Sequence, residues 1–326
     1  MNQEAIAAAK VVVRDVLAIG EEESVMITSD TVDTRELSAL LAGAVLDAGA
    51  IPFEVSTLKL PFPGAKVPAL LTEAAKEADV WIELNEIYIL GTEADHDARK
   101  AGLRRFYSMS GMSVDDLIAL EFRIDRLALI ALGECLADLT TGHEELSITC
   151  QNGSDLRASI RERVAAPDTS TMPLGQTHIS PIEDSVRGRL VFDGVAFPPE
   201  SLGVLRGRIA IEFADGVSHV VSESRESEVL AQWQASTDDP EIYRLNHVSY
   251  GYHPNVPLPT GRLVVDERVF GCLCVGFGPP QPYTCHHDLT ILQATVEVDG
   301  LLVQEAGRYV DRQLRELARY LHAPGY

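Results

Sequence analysis

The sequence predicts an α/β N-terminal domain with a mainly parallel, Rossmann-like sheet over residues 1–165, followed by a β-rich α+β domain over residues 166–326 that carries a metal site. Three observations lead there. In the first half, apolar strands alternate with amphipathic helices at the period of βαβ units. After about residue 165 that rhythm gives way to short alternating strands separated by Gly, Pro and Asp turns, the pattern of antiparallel sheet. Four of the nine histidines, His247, His253, His286 and His287, fall between Arg244 and Gly300 beside an aspartate.

Taken in order, residues 4–17 read as a helix, with Ile6, Val11, Val12 and Val16 at helical spacing. Ser24 to Thr28 is an apolar strand, Thr34 to Ala48 a capped helix with a stripe of Leu37, Leu40, Leu41 and Val45, and Ile51 to Val55 the next strand. The rhythm continues through a helix at Val67–Glu77 and a buried strand at Val80–Leu84. From Asn85 to Ser113 it loosens. This stretch concentrates His96, Arg99, Lys100, Arg104 and Arg105 in an otherwise acidic chain, either as substrate-facing groups on a loop at the carboxyl ends of the strands or as a solvated basic helix face. A helical run over Val114–Cys135 leads to the strand Glu145–Cys150 and the Asn152-Gly153 turn. The second domain reads as strands at 189–192, 208–213 and 218–221, with helices at 226–235 and 305–321.

Composition narrows the function. With 46% hydrophobic residues the chain is globular, and 27 basic against 49 acidic residues give a formal charge of −22. That sign disfavours nucleic acid and anionic membrane surfaces as partners. No apolar run reaches the length of a membrane span, and the five cysteines form no disulfide framework, so a cytoplasmic protein is expected. No Gly-x-Gly-x-x-Gly, Walker loop or Gly-x-Ser-x-Gly is present, which leaves nucleotide binding and serine hydrolysis without a motif. Apolar strand edges are expected to be covered in a homo-oligomer.

The chemistry lies in His286-His287-Asp288. Side chains two apart on a strand share a face, so His286 and Asp288 can close on one ion while His287 turns away. His247 is the candidate third ligand, because Gly251 and Pro254 behind it bend the chain. Two histidines and one carboxylate leave open positions opposite, the arrangement of non-haem Fe(II) oxygenases. A strand with one buried histidine and an exposed aspartate fits the same local pattern. His178, in Pro173-Leu174-Gly175-Gln176-Thr177-His178, is a candidate base or substrate contact, or an ordinary loop histidine.

Six phrases in one order, Pro173–Gln176, Arg189–Gly194, Phe213–Gly216, His247–Asn255, Asp266–Gly278 and His286–Asp288 with Asp299-Gly300, resemble the aminopeptidase T family of metallopeptidases. Those peptidases hold two metal ions with two glutamates, two histidines, a tyrosine and an aspartate. Here Gln176 and His247 stand at positions resembling the glutamates and Cys274 at that of the first histidine, Tyr283 lies near the tyrosine's place, and His286 and Asp288 remain. This altered set is similar to the 2,5-dihydroxypyridine 5,6-dioxygenases. The resemblance implies one Fe(II) on His247, His286 and Asp288, with O2 and a small N-heterocyclic substrate cleaved to N-formylmaleamate. His178 and His253 are then candidate catalytic bases, with His253 alternatively orienting the turn behind His247. Gln176, His96 and Arg105 are candidate substrate contacts, and Cys274 serves either packing or function. The other readings are a zinc hydrolase on the same three ligands and a non-catalytic ligand-binding relic of the fold.

Overall fold

The computed structural model describes residues 2–221 and 224–326, the side chains of Val32 and Asp33 aside. The chain gathers into two compact units. One holds the residues up to Ile124 with Thr169–Pro173 and Gln281–Thr284; the other holds Asp125–Asp168, Leu174–Pro280 and Cys285–Tyr326.

In the first unit, α1 (Gln3–Lys10), β1 (Ser24–Ser29), α2 (Val32–Asp47), β2 (Ile51–Ser56), α3 (Ala69–Lys76), β3 (Val80–Glu83), α4 (Glu93–Ala101), β4 (Arg105–Ser108) and α5 (Val114–Leu117) follow one another. The strands form a parallel sheet in the order β2-β1-β3-β4, the expected Rossmann-like pattern. Thr31 and Thr34 make a reciprocal capping box that starts α2. In β3 all four residues are buried, and Trp81 packs on Phe106 of β4 with ring centroids 4.6 Å apart. The helix expected over 4–17 leaves α-geometry after Lys10 and continues as a π-helical segment, Val11–Val16.

The loosely patterned stretch after Asn85 hides α4 and β4, because its charged residues mask the apolar period. Its cations pair locally: Arg99 with Asp95, Arg104 with Asp79 and Glu23, Arg105 with Glu23. Arg105 also donates to the carbonyls of Leu17 and Ala18 from the amino-terminal end of β4. Its guanidinium is therefore engaged in closing this unit, at the opposite strand end from the carboxyl edge where parallel sheets bind ligands. His96 lies half-buried on α4.

The second unit opens with α6 (Arg126–Thr140), β5 (Glu145–Cys150), β6 (Ser154–Ser159), β7 (Ala166–Pro167) and β8 (Gln176–Ile179). It continues with β9 (Arg187–Phe192), β10 (Val195–Phe197), β11 (Gly203–Val204), β12 (Ile209–Ala214), β13 (Val217–Val221), α7 (Arg225–Ser236) and β14 (Leu245–Gly251). It ends with α8 (Leu263–Asp266), β15 (Leu273–Phe277), β16 (His287–Ile291), β17 (Thr295–Val298), β18 (Leu301–Glu305), β19 (Arg308–Tyr309) and α9 (Arg312–Tyr320). Two antiparallel sheets result, β11-β10-β16-β15-β14-β8-β7 and β13-β12-β9-β6-β5-β17-β18-β19. Residues 125–165, expected with the first domain, lie in this unit because β5 pairs with β17 and β6 with β9. The long helix expected at 305–321 is instead the end of β18, a turn at Ala306-Gly307, β19 and a shorter α9. Phe277 of one sheet stacks on Phe213 and meets Phe192 of the other edge-on, at 5.9 and 6.2 Å, which locks the two faces together. Among the described residues no helix is long and apolar enough to cross a membrane.

Glu83, at the carboxyl end of β3, is fully buried and accepts the amides of Ile89 and Leu90. Burial outweighs these bonds and pushes its pKa up to about 8. A carboxyl raised in the folded state stabilises most below its unfolded pKa and loses that stability as pH rises through the folded value. Glu83 is therefore expected to contribute a decline in unfolding free energy on the order of 3 kcal/mol from pH 5 to pH 8. Denaturant titrations should show a flatter decline in Glu83→Gln, which keeps an acceptor and never charges; parallel curves would contradict the assignment.

Candidate metal centre

Three central strands of the seven-stranded sheet build the site. Opposed residues of paired strands face the same way, and His247 on β14 pairs with Gly276 on β15, which pairs with Asp288 on β16. The row places an imidazole and a carboxylate on either side of a glycine. A Cβ at Gly276 would lie 2.1 Å from His247 Cε1 and 2.8 Å from Asp288 Oδ1. Its φ is ordinary for a strand, so the glycine provides room, not backbone freedom. His286, two residues before Asp288, completes the group: its Nε2 is 3.2 Å from Asp288 Oδ1, His247 Nε2 is 3.6 Å from the same oxygen, and the three ligand atoms lie within 4.8 Å of one another. The two imidazoles lie parallel, with centroids 5.6 Å apart.

A β-bulge sets His247 in this row. Leu245 opposes Phe277 and His247 opposes Gly276, leaving Asn246 as the extra residue. Asn246 Nδ2 donates to the Pro279 carbonyl at 2.9 Å, so its Oδ1 is the atom left to meet His247 Nδ1, at 3.2 Å. His247 Nδ1 must then carry the proton, and Nε2 keeps its lone pair for an ion.

The electrostatics suit ligation. Burial drives the His247 pKa down to about 4 against the attraction of Asp288, so the ring is neutral at physiological pH. With 19% of its side chain open, against 3% for Asp288 and His286, it is also the ligand nearest the opening. Burial works to raise the Asp288 pKa, but His286 and His247 outweigh it and hold the group below the usual carboxylate range. His287 faces the other way, into the space between the sheets. It stacks on Phe277 at 4.7 Å and meets Gln234 at 3.1 Å.

A second row on the same face carries His178 on β8, Ser249 on β14, Cys274 on β15 and Thr290 on β16. His178 is exposed, yet the protein mass around it lowers its pKa, with Asp168 opposing. Gln176 lies two residues before it on the same strand and hydrogen-bonds the side chain of Glu267. His253 is fully buried, and its Nδ1 accepts the Asn255 amide at 3.2 Å. It serves the turn after β14 and lies outside both rows. Tyr283 belongs with the first unit, where its amide donates to the Gly91 carbonyl at 2.8 Å.

The residues that sequence reasoning passed over are Gly276, Asn246 and Glu267. A glycine inside the apolar run Leu273–Phe277 is the one local signal among them, marking a strand position kept bare for a close approach.

Fold and site together place two histidines and one carboxylate, a group that could hold one metal ion, on an antiparallel sheet. The sequence pattern of the NicX family, 2,5-dihydroxypyridine 5,6-dioxygenase, matches residues 11–311, and the chain belongs to that family. A curated 2,5-dihydroxypyridine 5,6-dioxygenase of Pseudomonas putida is 26% identical over 152 residues, covering 42% of this chain and 43% of the relative. The alignment thus spans under half of that relative's length. Among solved structures, a 2,5-dihydroxypyridine dioxygenase from Pseudomonas putida superposes with a TM-score of 0.74 at 17% identity, covering 95% of this chain and 98% of that one. Wild-type AmpT from Thermus thermophilus superposes with a TM-score of 0.64, also at 17% identity, over 95% and 99%. These likenesses establish the shared fold.

Two substitutions test the site's construction. Gly276→Ala is expected to weaken binding of a divalent ion, read by anaerobic calorimetry, by about 100-fold or more; Asn246→Ala should cost about 10- to 100-fold through the freed imidazole. Affinities equal to wild type would show that neither the bare strand position nor the bulge residue matters to the centre.

Proposed function

We propose that this protein is a mononuclear Fe(II)-dependent dioxygenase that cleaves a hydroxylated pyridine ring with O2, converting 2,5-dihydroxypyridine or a close analogue to N-formylmaleamate. The observation that carries the reading is the convergence of His247, His286 and Asp288 over Gly276 in a chain of this family. The donor set fits the ion: two imidazoles and one carboxylate approach from one side, and only a glycine lies between them. Iron held there would supply the electron transfer that lets O2 react with an electron-rich ring. Every atom of ring and O2 is retained in the product, so no external reductant is consumed.

The chain's own residues do the rest. His178 is the proposed proton acceptor for the ring hydroxyl, because it projects from the same face one strand from His247 and its lowered pKa keeps it unprotonated near neutrality. Gln176, held against Glu267, offers a neutral hydrogen bond where a second carboxylate would repel an anionic substrate. Apolar walls on the other face of β14–β16 (Val248, Val275 and Leu289, all buried) back the sheet and keep water from reaching the ligands from behind. The reading includes an assembly of subunits: β2 is an edge strand whose Ile51 and Phe53 are 50% and 53% exposed.

After anaerobic loading with Fe(II), an oxygen electrode should record uptake with 2,5-dihydroxypyridine and none for His286→Ala. His178→Ala should keep its iron and lose about 10²- to 10⁴-fold in kcat, with wild-type activity falling on the acid side as His178 takes up a proton. Absence of uptake with any hydroxypyridine, together with hydrolysis of aminoacyl amides under zinc, would replace this reading by a hydrolytic one.

A further inference from the structure

A second convergence of donors lies against the first. Glu267, Cys274 and Asp288 bring a carboxylate oxygen, a thiol sulfur and another carboxylate oxygen within 4.8 Å of one another, all three side chains buried. The five donors form two groups that meet only at Asp288. Cys274 projects from β15 one row along from Gly276, and its Sγ is 3.9 Å from Asp288 Oδ1, the oxygen that also faces His247 and His286.

The fold is shaped to bring Glu267 there. A Cβ on Gly251 would lie 2.6 Å from the Glu267 carbonyl oxygen and 2.7 Å from Cys272 Sγ, so the bare end of β14 admits the turn that follows α8. Arg268, wholly buried, pairs with the Glu267 carboxylate at 3.3 Å.

We propose that Glu267, Cys274 and Asp288 form a second metal position, taking a thiolate-tolerant divalent ion such as zinc in alternation with the ion held by the histidines. The sulfur donor sets the preference: a thiolate favours zinc, whereas two imidazoles and a carboxylate suit iron. Binding replaces the S–H bond of Cys274 and the O–H bond of a protonated Glu267 by bonds to the metal and releases those protons to solvent, with no change of oxidation state. The charges favour occupancy in turn. One divalent ion with the thiolate, both carboxylates and Arg268 makes a neutral cluster, and a second ion beside it would leave buried positive charge. Zinc in this position would claim Asp288 and so exclude iron from the other. This position rests on the donor geometry alone and stands whether or not the protein cleaves a ring.

Cobalt(II) tests it by its colour, because thiolate ligation gives a near-ultraviolet charge-transfer band that imidazole and carboxylate ligation do not. One equivalent added to metal-free full-length protein is expected to give the band, and zinc to bleach it. The band should be lost in Cys274→Ser and in Glu267→Gln, with circular dichroism confirming that both fold, and should survive in His247→Ala. A wild-type protein without the band would overturn the proposal. So would its loss in His247→Ala, which would make Cys274 a neighbour of the first ion.

Discussion

The site depends on one missing methyl group. His247 and Asp288 sit on strands that are not adjacent, and the strand between them must present nothing at the point where they meet. Gly276 meets that condition without special backbone geometry, since any Cβ there would fall on the imidazole of His247 and the carboxylate of Asp288. From this clearance follows the use of an antiparallel sheet as the floor of the centre. Opposed residues align in rows, and each row delivers side chains from three or four strands to one place at fixed spacing.

Burial then differentiates chemically similar groups. Asp288 faces two histidines and is held below the usual carboxylate range, while Glu267, a few ångströms away, is pushed upward by burial and by Asp288 despite Arg268. Two carboxylates in one dry volume thus shift in opposite directions, each set by its neighbours. The period of the strand does the same for the adjacent histidines. His286 and Asp288 face the floor of the site, and His287 between them stacks in the inter-sheet core, where burial lowers its pKa to about 3.

The parallel sheet of the first unit was legible because apolar strands and amphipathic helices repeat their periods cleanly, and the pair His286 and Asp288 because a strand's twofold period is unambiguous. His247 was legible as a candidate through the bend behind it, although the bulge at Asn246 that orients it depends on strand pairing, which local sequence does not encode. Glu267 was invisible for the same reason, since only the seating of a turn against Gly251 brings it inward. The strand β4 and the pairing of Arg105 were masked by charge: its partners Leu17, Ala18 and Glu23 lie more than eighty residues earlier. The unit boundary was misplaced because β5 and β6 look like a continuation of the first domain until they are seen paired with β17 and β9.

The proposed centre is tested most directly by whether, and where, added iron binds. An anaerobic crystal structure of the Fe(II)-loaded protein, with anomalous scattering measured at the iron edge, would locate it. The account predicts a single peak at bonding distance from His247 Nε2, His286 Nε2 and an Asp288 carboxylate oxygen, above Gly276. A peak elsewhere, or iron that leaves His247 unligated, would contradict it.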